Sequence, residues 1–387
     1  MESSTFVNPA LTPKIKKNIR VSKSVVGLKE AVALRDIVLK DGYLGMGKEV
    51  RLFEDELCKF FGGSETVCVN SGTAALHLAL MAVVKPGDEV LVPSFTFVSS
   101  FQAITAAGAK PVACDIAPDT LLIDLKDAAR RLTKKTRVIM PVHYSGGVGD
   151  LKSVYAFAKK HRLRVIEDAA HAFGTTYYGR RIGGFGDIVC FSFDGIKNIT
   201  SGEGGAIVSS DKKVNTFVKD ARLLGVCKDT DKRYSGERSW EFEVLHQGYR
   251  YHMSNLFAAI GRVQLRKFPE FARTRRSLAR NYQKKLAGIA GIGLLQRDYA
   301  TIVPHIFPVL VENGRRDLLR AFLQQKGIET GIHYYPNHLL KFFAKKNVRL
   351  PVTESVYSRI LSLPLHPALT SVEQNRVITA IREFFHE

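Results

Sequence analysis

Between residues 65 and about 210 the chain alternates short apolar runs with helical stretches, and no other feature constrains its fold as much. The runs at 67–69, 89–93, 111–115, 138–143, 164–167, 188–193 and 206–209 are short and rich in Val and Ile. Continuous apolarity over so few residues is the mark of strands buried on both faces. Between them, Leu76, Leu80 and Val83/Val84 share one helical face in 73–84, and Leu151, Val154, Tyr155 and Ala158 do so in the next crossover. Strand, helix and strand at this spacing predict βαβ units and a mixed, mostly parallel sheet sandwiched by helices, an α/β fold. Such a sheet carries its ligand at its carboxyl edge.

After residue 250 the texture changes. A helix is expected over 254–282, apolar at first and then strongly basic, as the bridge into a second unit. Beyond it the pattern predicts an apolar strand at 305–311 and a helix over 317–326 stopped by Gly327. A strand near 329–334 and a closing helix over 372–385 complete it. The division expected is a large domain over 1–260 and a smaller C-terminal α/β domain over 261–387, which suits a chain of 387 residues.

The longest nearly apolar stretch, 74–84, is interrupted by His77 and is shorter than the roughly 20 residues a membrane helix needs. Residues 1–21 mix charges and prolines without an apolar core, so no secretory signal is expected. The five cysteines form no CxxC pair, which fits a reducing cytoplasm and no structural metal. The formal charge of +20 is the unusual number. Lys and Arg cluster at 14–20, 130–137 and 273–280 but are otherwise spread along the chain, with no basic and aromatic alternation of the kind that binds single strands. A solvated basic surface that steers anionic small substrates is therefore expected, rather than a nucleic-acid partner.

Four distant segments each end an expected strand with a different polar group. Asn70-Ser71-Gly72-Thr73-Ala74-Ala75 stands where a strand gives way to a helix. Small residues and free N–H groups there make a phosphate seat, though an ordinary helix cap reads equally well. Asp168 follows a strand directly and, if buried, needs a cationic partner or a proton; a helix cap is the plainer reading. Ser192 and Lys197 precede the glycine-rich Gly202-Glu203-Gly204-Gly205, a setting for a Schiff-base amine rather than a surface charge. Pro93-Ser94-Phe95-Thr96-Phe97 offers an aromatic ring, or simply core packing.

Taken in order, these four segments and Pro141-Val142-His143-Tyr144, with Asp168-Ala169-Ala170-His171 in the second, resemble the DegT/StrS-type sugar aminotransferases. These are pyridoxal-phosphate (PLP) enzymes of fold type I, the aspartate aminotransferase fold. The likeness continues through 248–261, 331–334 and 361–367. It implies that Lys197 forms the Schiff base with PLP and moves the substrate proton, and that Asp168 pairs with the pyridine nitrogen. Gly72, Thr73 and Ser192 would hold the phosphate, while Phe97 and His171 would lie against the ring. At 250 relatives commonly have Asn, reaching the neighbouring subunit's cofactor phosphate; here Arg250 stands in its place. The resemblance further implies glutamate as amino donor, pyridoxamine phosphate as the intermediate cofactor form, and a keto-sugar acceptor, as a rule nucleotide-linked. It implies a homodimer with shared sites, and a role in amino-sugar supply for lipopolysaccharide, another surface polysaccharide or a glycosylated metabolite. His143, His333 and Tyr334 are the candidate substrate contacts. A dehydratase of this fold would carry histidine at the lysine position, so Lys197 argues against it. A lyase or racemase acting on amino acids, or a DNA-binding regulator using the basic surface, are the remaining readings.

Overall fold

The computed structural model describes residues 18–345 and 347–386. Most of the 1–21 segment, and with it part of the first basic cluster, lies outside the described residues. In chain order the strands are β1 (Glu65–Val69), β2 (Glu89–Pro93), β3 (Lys110–Cys114), β4 (Thr136–Ile139), β5 (Arg164–Asp168), a small hairpin of β6 (Thr176–Tyr177) and β7 (Arg180–Arg181), β8 (Ile188–Ser192), β9 (Gly205–Ser209), β10 (Ile292–Leu294), β11 (Phe307–Val311) and β12 (Ile360–Leu363). The helices are α1 (Leu28–Asp36), α2 (Lys48–Phe60), α3 (Gly72–Met81), α4 (Val98–Ala106), α5 (Leu125–Arg130), α6 (Leu151–His161), α7 (Lys212–Ala221), α8 (Asp229–Tyr234), α9 (Asn255–Leu286), α10 (Arg316–Gln325), α11 (Pro351–Arg359) and α12 (Ser371–Phe385).

All seven apolar runs become strands of one sheet, in the order β1-β9-β8-β5-β4-β2-β3. Their side chains alternate between two cores. Cys68, Leu91, Ile139, Val165 and Val189 face one side, and Val67, Val90, Val138, Ile166 and Ile188 the other. Both faces are covered, which is why the runs lack polar alternation. Strands β2 to β5 and β8 pair in parallel, and β9 alone runs against its neighbours. Residues 193–204 hold no helix, so the chain returns from β8 to β9 by a loop, a connection that suits antiparallel strands. The carboxyl ends of the other six strands consequently lie along one edge of the sheet.

Two local expectations are corrected. α3 is not amphipathic: it ends at Met81, before Val83 and Val84, and residues 74–80 are all buried. It is enclosed by the sheet at β8 and β9 and by α4 and α7, so it has no solvent face to be polar. The segment 329–334 is not a strand. It makes only a single bridge, Gly331 to Ser362, and the third strand of the C-terminal sheet is β12, with order β10-β11-β12, antiparallel throughout.

α9 crosses residue 260 without a break. Its first half packs on α1 and α2, while Leu278, Ala279, Tyr282 and Leu286 join the core beneath α10 and α12, where Ile19 also packs. At the other end, the fully buried Arg222 donates to Glu54 Oε1 (2.5 Å) and to the Cys68 carbonyl (2.7 Å). Glu54 also accepts from the Cys68 N–H (2.7 Å), so this pair ties α2 to β1 just below the start of α3. A buried pair adds little net stability, but removing one partner would strand the other's charge. Among the described residues no helix is long and apolar enough to cross a membrane.

Candidate active site

The carboxyl edge of the sheet opens into a cavity of about 460 Å³ lined by groups from seven parts of the chain. The corner after β1 supplies Ser71, Gly72 and Thr73. Ser71 caps α3, its Oγ accepting from the Ala74 N–H at 3.0 Å. The cap and the anion seat are therefore compatible, because Gly72 and Thr73 are the first two helical residues and their N–H groups have no acceptor within the helix. Gly72 is needed for another reason: a Cβ there would lie 2.8 Å from Ser192 Cβ, so only glycine lets the start of α3 approach the end of β8. The Ser192 hydroxyl accepts weakly from the Asp194 N–H (3.4 Å) beside that seat.

Asp168 ends β5 and is 5% exposed. Its Oδ2 accepts from the Ser100 hydroxyl (2.8 Å), which is itself paired with Thr96 (2.9 Å), and its Oδ1 accepts from the Ala170 N–H (3.3 Å). Burial holds its carboxyl above the usual range, partly offset by Ser100, Ala170 and the more distant charge of Lys197. No cationic side chain bonds to it among the described residues.

Lys197 follows a turn pinned by Asp194, whose carbonyl accepts from the Lys197 N–H (3.0 Å) and whose Oδ1 accepts from the Ile196 N–H (3.2 Å). Next to it, the buried Asn198 donates to the carbonyls of Phe173 (3.1 Å) and Val303 (3.2 Å) and fastens the turn to the body. Burial pushes the Lys197 amine below its ordinary value against the pull of Asp194 and Asp168, and the buried Arg275 pushes the same way as burial. A lysine with its free-base form favoured is a better nucleophile and base at neutral pH.

His171 lies on the cavity wall. Its Nδ1 accepts from the Ser145 N–H (3.3 Å), so the proton of the neutral ring belongs on Nε2, which donates to Tyr334 Oη (2.9 Å). Burial and the nearby Lys197 keep this imidazole neutral. The Tyr334 hydroxyl proton is left to point into the cavity, and its ring meets Phe97 at 5.6 Å between centroids. Phe97 is 56% exposed at the mouth, whereas Phe95 is core, packed on Tyr144. His333 also lines the cavity, its Nδ1 bonded to Ser362 Oγ (2.9 Å) and its pKa lowered by burial to about 4.

Two expected site residues are elsewhere. His143 is 1% exposed, does not line the cavity and bonds through its ring to Glu167 (2.7 Å). Arg250 is exposed and does not line its own chain's cavity. Reading the sequence also missed Ser100, Glu203, His305 and Arg275. Ser100 lies in the first turn of α4, and its partner Asp168 is 68 residues away, so no local pattern pointed to it. Arg275 belongs to the basic cluster 273–280, expected to be solvated, yet it is 1% exposed.

The residues present fit PLP. A buried carboxylate without a bonded cation suits a protonated ring nitrogen, and a helix start stripped of bulk suits a phosphate. Residues 28–382 match the model of the DegT/DnrJ/EryC1/StrS aminotransferase family. The chain belongs to this family. Among solved structures it is similar to DesV of S. venezuelae, in complex with a ketimine intermediate (35% identity, TM-score 0.85, covering 92% of this chain and 94% of DesV). It is similar to Helicobacter pylori PseC, an aminotransferase involved in the biosynthesis of pseudoaminic acid (26%, 0.88, 96% and 100%). A third is Spr1654 from Streptococcus pneumoniae in its PMP form (29%, 0.88, 95% and 98%). This family member is thus a PLP-dependent aminotransferase of fold type I, acting in sugar biosynthesis.

Proposed function

We propose that the enzyme moves the amino group of L-glutamate to a nucleotide-linked keto-sugar. The observation that carries this reading is that Lys197 Nζ, the Asp168 carboxylate and the start of α3 line one cavity. Lys197 is the covalent anchor of PLP, Asp168 the partner of its ring nitrogen, and Gly72, Thr73 and Ser192 the holders of its phosphate. Phe97 and His171 flank the ring, and Tyr334 and His333 face the substrate. Bound there, PLP supplies a ring that accepts electrons and so acidifies the C–H beside an amino nitrogen. Lys197 Nζ, low in basicity for a lysine, takes that proton and returns it on the other side of the transfer. Tyr334 Oη, its own lone pair occupied by His171, is a donor to a substrate oxygen.

The +20 charge supports a diphosphate-bearing acceptor, because a cationic surface raises the encounter rate of an anion. The likeness to PseC supports amino-sugar supply for a surface polysaccharide or a glycosylated metabolite. The test is spectroscopic: the band of PLP bound to lysine should disappear on adding glutamate and return with one member of a panel of nucleotide-linked keto-sugars. A band that glutamate leaves unchanged would remove glutamate as donor, and return only with free keto-sugars would remove the nucleotide.

We also propose that the site is completed in a homodimer. Arg250 lies outside its own cavity, and the segment leading to it exposes the large apolar side chains of Trp240, Phe242, Val244 and Leu245, a composition that suits burial against a second copy. Arg250 would then meet the neighbour's cofactor phosphate. Sedimentation should give a dimer at micromolar concentration, and a monomer there would refute the shared site.

A further inference from the structure

His305 stands just before β11 and is 4% exposed. Its main chain is clamped from α9. Arg275 Nη1 donates to the carbonyls of Pro304 (3.4 Å), His305 (3.1 Å) and Leu365 (3.2 Å). The ring packs on His171 at 4.4 Å between centroids, and its Nε2 lies 3.4 Å from Lys197 Nζ. Its Nδ1 has no hydrogen-bond partner among the described residues. Among the described residues Arg275 has no carboxylate partner either, and its fully buried guanidinium holds this corner of backbone.

Several groups face Lys197 Nζ. Asp194 and Asp168 come from the ends of β8 and β5 and favour the ammonium; Arg275, from α9, opposes it. His171 and His333 are held neutral by burial, and Glu203 and Tyr334 complete the wall. Of these and His305, His305 is the group within hydrogen-bonding distance of Nζ. Burial and the charge of Lys197 keep His305 neutral too, so one of its two ring nitrogens carries a lone pair that can accept.

We infer that His305 is a positioning residue for Lys197: its Nε2 accepts a hydrogen bond from Nζ and so holds the amine in one orientation, with the nitrogen lone pair facing the cavity. The inference rests on the reading of Lys197 as the reacting amine. A lysine side chain otherwise has four rotatable bonds and a freely turning amino group, and reactions that need an aligned lone pair lose rate when that orientation is not fixed.

The test uses His305→Gln, His305→Asn and His305→Leu in the full-length protein. Glutamine reaches the position of Nε2, asparagine stops near that of Nδ1, and leucine offers no acceptor. The PLP-free protein is treated with trinitrobenzenesulfonate across pH, and labelling of Lys197 is counted by peptide mass spectrometry. An ammonium that loses its acceptor is less favoured, so the apparent pKa of Lys197 should fall by about one unit in the Asn and Leu variants and stay near wild type in Gln. In the PLP-loaded enzyme kcat should drop roughly 10- to 100-fold for Asn and Leu with KM little changed, and Gln should restore most of it. A merely structural histidine would not discriminate Gln from Asn. Equal titration curves in all four proteins, or a Gln variant as impaired as Asn, would overturn the inference. If borohydride fails to trap PLP on Lys197 of the wild type, the functional reading falls, while the titration of Nζ still decides the contact with His305.

Discussion

Replacing Lys197 by alanine should reduce amino transfer by at least about 10⁴-fold while leaving the fold intact. The loss is this large because one side chain is proposed to be both covalent anchor and base, and removing a nucleophile and a base together exceeds the cost of either. No neighbour can take over. His171, His305 and His333 are kept neutral by burial and cannot form the same bond, and the cavity holds no second lysine. Stability is expected to move the other way. Lys197 has a folded-state pKa below its unfolded value, so its contribution is full above the unfolded pKa and is lost as pH falls through the folded one. Below the unfolded pKa, protonation favours the unfolded chain over the folded one, so the PLP-free alanine variant should melt no lower than wild type at pH 7. Steady-state kinetics, borohydride trapping and calorimetry check the three parts. Turnover within tenfold of wild type would refute the role given to this lysine.

The Asp168→Asn variant should show opposite effects in the two states of the protein. Without PLP the Asp168 carboxyl is buried with hydroxyl and amide donors only, and burial raises its pKa above the ordinary 3.8. A raised folded pKa means that the stability contribution is full below the unfolded value and is lost as pH rises through the folded one. Each unit of that rise corresponds to ~1.4 kcal/mol. The melting temperature of PLP-free wild type should therefore fall with rising pH relative to Asp168→Asn, and the variant should be the more stable of the two at pH 7. With PLP bound the order should reverse, since a protonated ring nitrogen would lose its counter-charge. Activity should fall roughly 10²- to 10⁴-fold, the range expected when an essential electrostatic partner is neutralised. Scanning calorimetry from pH 4 to 8, with and without PLP, checks this. A variant less stable than wild type in the PLP-free state at neutral pH would contradict the account of the buried carboxyl, and equal PLP affinity would contradict its pairing with the ring.

The two residues these experiments target were both accessible to reading of the chain. Asp168 and Lys197 each follow an apolar run, and strand ends are where a parallel sheet presents its polar groups. His305 was not accessible in the same way. It opens an apolar run and reads as the first residue of a strand, and nothing near it in the chain points to Lys197, 108 residues away. Arg275 was hidden for a related reason: in a run of arginines the periodicity that would mark one as inward is masked by its neighbours' charge. The bond of His143 to Glu167 was equally hidden, since Glu167 lies on β5 and only strand pairing brings the two within 2.7 Å.

The amino-acid order alone determined seven buried strands, the crossovers between most of them, the edge of the sheet at which the cavity opens and the lysine and carboxylate that line it. These depend on short continuous apolar runs, on the 3.6-residue spacing of helices and on small residues at turns, which act within a few positions of chain, and on an ordered set of motifs that resembles a known family. The tertiary structure decided the reversed direction of β9, the enclosure of α3 on every side, the replacement of 329–334 by β12, and which histidine stands beside the Lys197 amine. Those outcomes depend on contacts between segments a hundred or more residues apart, where burial and hydrogen-bond partners are set by whichever surfaces pack together and no local pattern records the choice.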